Sequence, residues 1–375
     1  MASIAGIIFS NLNDNTLSRL TGERTVAAIP FACRYRLIDF CISNMINAGV
    51  TNVNIAANYN YRSLIEHIGS GKDYDLARRS GGINIITPLD TSLHGASQIY
   101  RTRMEALLYM KDHIKDFTED YVVMTDSDTV LTIDLNDVIR FHKENNAHIT
   151  FITKLLRSDH ISRKSKMMIK KQNDRITDIS MKRCYSEDCP ELSLNIFVIK
   201  TEDLKRMLEE AGAHQNYSLT SVFLTGYKRE RYFAYTHRGF AATVSDINDY
   251  YKYSIELTTS ESARRSLLGN KSLPIYTRVK NSAPTSHTED ARVTGSIIAD
   301  DCIIEGGVIN SVVFRGVHVE KGATVKNSIL FHGTRIGTDS QVNCIISDKF
   351  ATVGRNLNLS GSSNLPFYIE KGVRI

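Results

Sequence analysis

The sequence predicts an α/β domain with a mixed, mostly parallel sheet, followed by a parallel β-helix. Three observations carry that reading. Residues 1–265 alternate short apolar runs with amphipathic segments of helical spacing, as strands and helices do when they alternate along a chain. Residues 266–290 lapse into turn formers, Asn270-Lys271-Ser272-Leu273-Pro274 and Asn281-Ser282-Ala283-Pro284, and read as a linker. Residues 291–375 then adopt a six-residue period, the signature of stacked coils. A chain of 375 residues is long enough for two cores.

The elements follow in order. Ile4-Ala5-Gly6-Ile7-Ile8-Phe9 is continuously apolar and reads as a buried strand over Ala5–Phe9. The polar turn Ser10–Thr16 comes next. Leu37–Ala48 has helical apolar spacing and is stopped by Gly49. Asn52–Ala56, Tyr121–Thr125, His148–Thr153 and Ser193–Val198 are further strands; Tyr61–Ile68, Arg103–Ile114 and Leu204–Glu210 are further helices. Ligands of such sheets bind beyond the carboxyl ends of the strands, which singles out Ser10–Thr16 and Asp126–Thr129. In the last domain Val313, Val319, Val325 and Phe331 recur every six residues. Asn310-Ser311-Val312-Val313-Phe314-Arg315-Gly316 is echoed by Asn327-Ser328-Ile329-Leu330-Phe331-His332-Gly333. Three hexapeptides make a coil, and each coil buries its inward side chains only against its neighbours.

Composition excludes several classes. A formal charge of +5 suits a protein that handles small anions better than one that grips nucleic acid. No apolar run is long enough to span a bilayer, and none follows a basic N-terminus, so a cytoplasmic protein is expected. Cys33, Cys41, Cys184, Cys189, Cys302 and Cys344 are scattered. Cys184 and Cys189 lack the second pair or the histidines of a zinc site, so reduced thiols are expected.

The block Ala28-Ile29-Pro30-Phe31-Ala32-Cys33-Arg34-Tyr35-Arg36-Leu37-Ile38-Asp39-Phe40, with Ser43-Asn44, Asn47 and Gly49-Val50 after it, resembles the ADP-glucose pyrophosphorylases. These are the glucose-1-phosphate adenylyltransferases of glycogen synthesis. The resemblance runs over nearly the whole chain, to Pro366-Phe367-Tyr368-Ile369-Glu370-Lys371-Gly372. It implies a Rossmann-like, GT-A-like nucleotidyltransferase domain and a left-handed β-helix. The family joins a sugar phosphate to the α-phosphate of a nucleoside triphosphate and expels pyrophosphate. That chemistry needs a glycine-rich turn whose backbone N–H groups reach the phosphates. It also needs a cationic side chain to balance charge, and two carboxylates to hold Mg²⁺.

Each part is altered here. The family's Gly-Gly-x-Gly-(Thr/Ser)-Arg loop falls on Asn11-Leu12-Asn13-Asp14-Asn15-Thr16, with no glycine or arginine and with Asp14 where phosphates should sit. Its Arg-Ala-Lys-Pro falls on Arg24-Thr25-Val26-Ala27, so Val26 replaces the phosphate-contacting lysine. Asp128 is retained at the first metal aspartate, but Thr243 replaces the second, with Asp246 three residues on. On the sugar side Lys182 keeps a sugar-phosphate lysine, Asn195 replaces a glycine, and Glu105 aligns with an aspartate of the nucleotide-side helix. Each lost contact is worth on the order of 10²–10³ in rate.

Such losses resemble the non-catalytic, GlgD-type regulatory subunit of the family. The resemblance then implies a homologous catalytic subunit as partner, in a heterotetramer, with Mg²⁺ serving the reaction of the complex and no cofactor held tightly here. Sugar-phosphate effectors are implied as well, with Arg34 and Arg36 as candidate anion ligands. Arg36 can equally pair with Asp39 three residues on. Other readings stay open: a weakly active adenylyltransferase built on Asp128, Lys182 and Asp246, a sugar-phosphate-sensing module, or a hexapeptide acyltransferase using His318 or His332. The basic run Arg163-Lys164-Ser165-Lys166 to Lys170-Lys171 reads as a solvated hairpin or loop.

Overall fold

The computed structural model describes residues 2–12, 14–78, 81–88, 100–155, 165–182 and 191–375. Nine strands form the main sheet: β1 (Ile4–Phe9), β2 (Asn52–Ala56), β3 (Gly82–Ile86), β4 (Tyr121–Asp126), β5 (Ile149–Lys154), β6 (Lys166–Gln172), β7 (Arg175–Lys182), β8 (Glu191–Lys200) and β9 (Tyr232–Thr236). Their order is β3-β2-β1-β4-β8-β5-β9-β7-β6. β1, apolar and fully buried, sits between β2 and β4 and is parallel to both, as its uninterrupted hydrophobicity requires. All strands but β7 and β8 run the same way. β6 also pairs with β8, which curls β8, β5, β9, β7 and β6 into a small closed barrel.

Some expectations shift. The helix expected over Arg103–Ile114 breaks at Met110 into Arg103–Tyr109 and Lys111–Lys115. The basic run is the first strand of the β6–β7 hairpin from Lys166 onward; its alternation is obscured because Met167, Met168 and Ile169 are all buried. Arg163, Lys164, Cys184 and Cys189 lie outside the described residues. The helix Glu261–Leu268 runs past position 265, and the first β-helix strand already starts at Ser286.

The second domain is a left-handed β-helix of three parallel five-stranded sheets. Ser286 pairs with Ile303, Ile303 with His318, His318 with Arg335 and Arg335 with Thr352, in steps of 17, 15, 17 and 17 residues. A coil is thus shorter than three full hexapeptides, and the six-residue count slips at its end. Val313 stacks on Leu330, inside the coil. Phe331 therefore points outward, into the contact with the first domain, edge-on to Tyr250 and Phe314. That outward face also carries Val312, Ile329 and Ile346. It packs on the helix Ile247–Thr259 and on Leu17 and Leu20, so the two domains share one apolar seam. Inside the seam Arg24 and Asp348 form a buried ion pair at 2.8 Å. No helix among the described residues is long and apolar enough to cross a membrane.

Candidate nucleotide pocket

β1 and β4 end side by side, Phe9 level with Asp126. The loop after β1 closes on itself. Asp14 begins a 3-10 turn, Asp14–Leu17, and is buried. One carboxylate oxygen accepts the Val26 N–H at 3.0 Å, and the other accepts the Asn11 side-chain amide at 2.5 Å. The Asn11 side-chain Oδ1 accepts the Asn58 N–H at 2.8 Å, and its Nδ2 also donates to the Tyr59 backbone carbonyl at 3.1 Å. Burial pushes Asp14 up to about 6, with hydrogen bonds from Asn11, Val26 and Tyr59 pulling the other way. The loop supplies its own anion where the family resemblance puts phosphate. Val26, at the position the resemblance aligns with the phosphate-contacting lysine, lies in apolar core beside Leu17, Leu20 and Ile29.

The acidic turn after β4 is equally self-contained. Asp126 is buried and bidentate to Arg103: its Oδ1 accepts from Nε at 2.8 Å, and its Oδ2 meets Nη2. Asp128 is buried beside it and accepts the Thr129 hydroxyl at 3.2 Å. Burial would lower the Arg103 pKa, but Asp126 and then Asp128 outweigh it and hold the guanidinium above its ordinary value. Thr243 ends a short strand, Ala241–Thr243, and lies opposite Thr129. Its hydroxyl is buried with no hydrogen-bond partner among the described residues. Asp246 caps the helix Ile247–Thr259, its Oδ1 accepting the N–H groups of Asn248 and Asp249 at 3.0 and 2.9 Å, and is held there rather than turned toward Asp128 as a second carboxylate.

These residues do not fit Mg²⁺. A divalent ion needs several convergent oxygens, but Asp126 is bound to a guanidinium, Thr243 is neutral and Asp246 is committed to a helix end. Among the described residues no three His, Cys, Asp or Glu side chains converge as a metal site.

The residues that the resemblance assigns to the sugar side take no part in the acidic turn's ion pair. Asn195 sits at a bulge in β8 with φ of 55°, a left-handed conformation that glycine adopts freely and asparagine tolerates best among the rest. Lys182 is exposed at the end of β7, paired with Lys166. Glu105 is turned to structure. With Thr102 it forms a reciprocal capping box, its carboxylate accepting the Thr102 N–H at 3.1 Å and Thr102 Oγ1 accepting its own.

A second polar site lies at the domain seam. The Arg36 guanidinium donates to the Ser63 carbonyl at 2.6 Å rather than to Asp39. The buried Asp39 carboxylate instead accepts the Arg36 backbone N–H and the Tyr74 hydroxyl and contacts His67 Nε2 at 2.6 Å. Arg24, Arg278, Lys280 and Lys349 gather near Arg36, and Arg315 lies near Lys280. Burial, then Arg24 and Arg36, pull Lys349 down to about 8. Burial, then Arg315, Arg36 and Arg278, lower Lys280. Nη1 of Arg24 and Nε of Arg315 are buried without a hydrogen-bond acceptor among the described residues. Arg34 stays outside this cluster, exposed, with its guanidinium over the Tyr35 ring at 5.7 Å. Of these cations the sequence singled out only Arg34 and Arg36. The others are brought together by the seam, and nothing in their spacing announces it. In the β-helix His318 pairs with Glu305 at 2.9 Å and His332 packs on Phe350.

Comparison with known proteins agrees with this architecture. Residues 15–163 match the nucleotidyl transferase family, and residues 281–362 match the GlmU-like C-terminal hexapeptide family. The glycogen biosynthesis protein GlgD of Bacillus subtilis (strain 168) is 30% identical over 371 residues, 98% of this chain and 96% of the relative. GlgD of Geobacillus stearothermophilus is 32% identical over 370 residues, with the same coverage of 98% and 96%. The glucose-1-phosphate adenylyltransferase of Mycoplasma mobile is 27% identical over 317 residues, 83% of this chain and 81% of the relative.

Proposed function

The chain belongs to the ADP-glucose pyrophosphorylase family, on its GlgD-like branch, and from that premise we propose that it is a regulatory, catalytically impaired subunit in glycogen biosynthesis. One observation carries the reading: the Asp14 carboxylate holds the Val26 N–H in the loop where a triphosphate would have to lie. A nucleotide phosphate entering there meets a negative charge, no flexible glycine amides and no ammonium.

The chain acts through a homologous catalytic subunit, in a heterotetramer, by favouring the partner's active conformation. Such an effect requires contacts that differ between the partner's two states. The seam cations, with their unpaired buried donors, suit a sugar-phosphate or other small polyanion as effector. Its pull on Arg24, at the joint between the domains, is a route from effector to subunit contact.

The test is pyrophosphate release from ATP and glucose 1-phosphate with Mg²⁺, by this chain, by a catalytic homologue, and by the two together. This chain is expected to be silent alone and to change the rate or effector response of the homologue. Robust turnover by this chain alone overturns the reading, and so does a mixture that behaves as the sum of its parts.

A further inference from the structure

We propose that Arg103 is a built-in replacement for the divalent cation of the nucleotide pocket, a guanidinium that neutralises Asp126, lies within electrostatic reach of Asp128 and keeps metal ions out. The proposal rests on the reading of this pocket as a former nucleotide site; it does not depend on a regulatory partner.

Four features of the fold converge on it. Arg103 is the first residue of its helix, and the Thr102–Glu105 capping box fixes that turn, so the side chain is aimed rather than free. Its planar fork meets both oxygens of Asp126, the bidentate geometry at which arginine excels. Asp128, retained at the family's metal position, lies within electrostatic reach of the same guanidinium. Across the turn, where the second metal carboxylate would stand, Thr243 offers a buried neutral hydroxyl.

The charges explain why these replacements belong together. Asp126 and Asp128 are both almost fully buried, and two such carboxylates need a counter-cation. In a metal-dependent site a divalent ion brings two positive charges, and two carboxylates at its ligand positions balance it. Here the second position is neutral, and a single positive charge is fixed covalently in the chain. A metal ion approaching Asp128 would have to displace a guanidinium that is bound at two points and repels it.

The experiment is Mn²⁺ binding to the purified full chain, followed by electron paramagnetic resonance and calorimetry without nucleotide. Wild type is expected to bind no Mn²⁺ stoichiometrically at this pocket. Arg103→Gln, whose amide can still hydrogen-bond Asp126, is expected to bind one Mn²⁺ at least tenfold more tightly. Adding Asp128→Asn should abolish that gain. Two results overturn the proposal: stoichiometric Mn²⁺ on wild type that Asp128→Asn removes, or a folded Arg103→Gln chain that binds no better than wild type. Should Arg103→Gln not fold, Thr243→Asp decides. With Arg103 present the added carboxylate should leave Mn²⁺ binding unchanged, and a tenfold gain from Thr243→Asp alone overturns the proposal. Turnover is not read, so a failure here is distinct from a failure of the regulatory assignment.

Discussion

The nucleotide pocket and the domain seam are both lined with buried charge, yet they treat it in opposite ways. In the pocket each carboxylate is answered within the chain: Asp14 accepts the neutral Val26 amide and Asp126 takes the Arg103 guanidinium. At the seam cations outnumber the carboxylates they face: Arg24 pairs with Asp348 and Arg315 with Asp300, while one nitrogen of each of these two guanidinium groups is buried without an acceptor among the described residues. A buried donor without an acceptor costs roughly 1–3 kcal/mol, more when charged. Such a deficit persists where a ligand offsets it. The pocket has internalised its counter-groups, and on the proposed reading a small anion supplies those of the seam.

The largest test of that contrast is Asp348→Asn. It removes the carboxylate held by Arg24 at 2.8 Å while keeping the shape, and breaking a buried pair costs about 3–5 kcal/mol. Urea unfolding should show a loss of that size, and millimolar inorganic phosphate should recover part of it by supplying the missing negative charge. A loss that phosphate leaves untouched would mean that the seam cations serve packing alone.

The next test addresses the pocket by pH. Asp14 is raised by burial from 3.8 to about 6, so the folded state holds its proton more tightly than the unfolded chain does. Stability from this group is therefore full below about pH 4 and is lost as pH rises through 6. A shift of two units corresponds to about 3 kcal/mol. Relative to Asp14→Asn, wild type should lose about that much between pH 4 and 7 and run parallel above pH 7. Parallel curves throughout would mean that the carboxylate sits in a wetter place than the loop geometry provides.

Phosphate binding to wild type is the third. A ligand present at a hundred times its dissociation constant stabilises by about 2.7 kcal/mol. Inorganic phosphate or a hexose bisphosphate should raise the unfolding midpoint, whereas Mg²⁺-ATP should not act through the pocket. Lys349→Gln should weaken the effect. Because Lys349 titrates near 8, binding should also fade as pH rises through 8 and the ammonium loses its proton.

How far the sequence showed these two regions follows from what each is made of. The departures from the family pattern that the resemblance implies were legible because each falls inside a contiguous motif: Asp14 in the loop, Val26 in Arg24-Thr25-Val26-Ala27, Thr243 before Asp246-Ile247. The pocket's compensation was not, since Arg103 and Asp126 look ordinary until β1 and β4 bring the helix start against the strand end. The seam was less legible still. Arg24, Arg278, Lys280, Arg315 and Lys349 are scattered along the chain, and only the docking of the β-helix collects them around Arg36 and Lys280. That docking depends on coil length, which a six-residue count overstates. The count placed Phe331 with Val313, Val319 and Val325, whereas the 17-residue register puts Leu330 inside and turns Phe331 toward Tyr250.

The smallest expected effect concerns a residue that belongs to the pocket's frame rather than to its charges. Asn195 stands where the resemblance places a glycine, and its φ of 55° lies in the left-handed region. The strand is bulged there, between Ser193 and Ile196, so the conformation is imposed by the sheet and not by the side chain. Ser193 Oγ accepts the Asn195 N–H at 3.2 Å, and the neighbouring Leu194 carbonyl accepts the Thr129 hydroxyl at 3.1 Å, tying the bulge to the acidic turn. Asn195→Gly should therefore be nearly neutral, within about 0.5 kcal/mol, because relief of left-handed strain offsets the entropy that glycine adds to the unfolded chain. Asn195→Ala keeps a Cβ without asparagine's tolerance and should cost about 1 kcal/mol. Denaturant midpoints of the two variants separate these outcomes. If alanine is as well tolerated as glycine, the bulge is relaxed in solution, and the frame of the pocket is looser than the charges it holds.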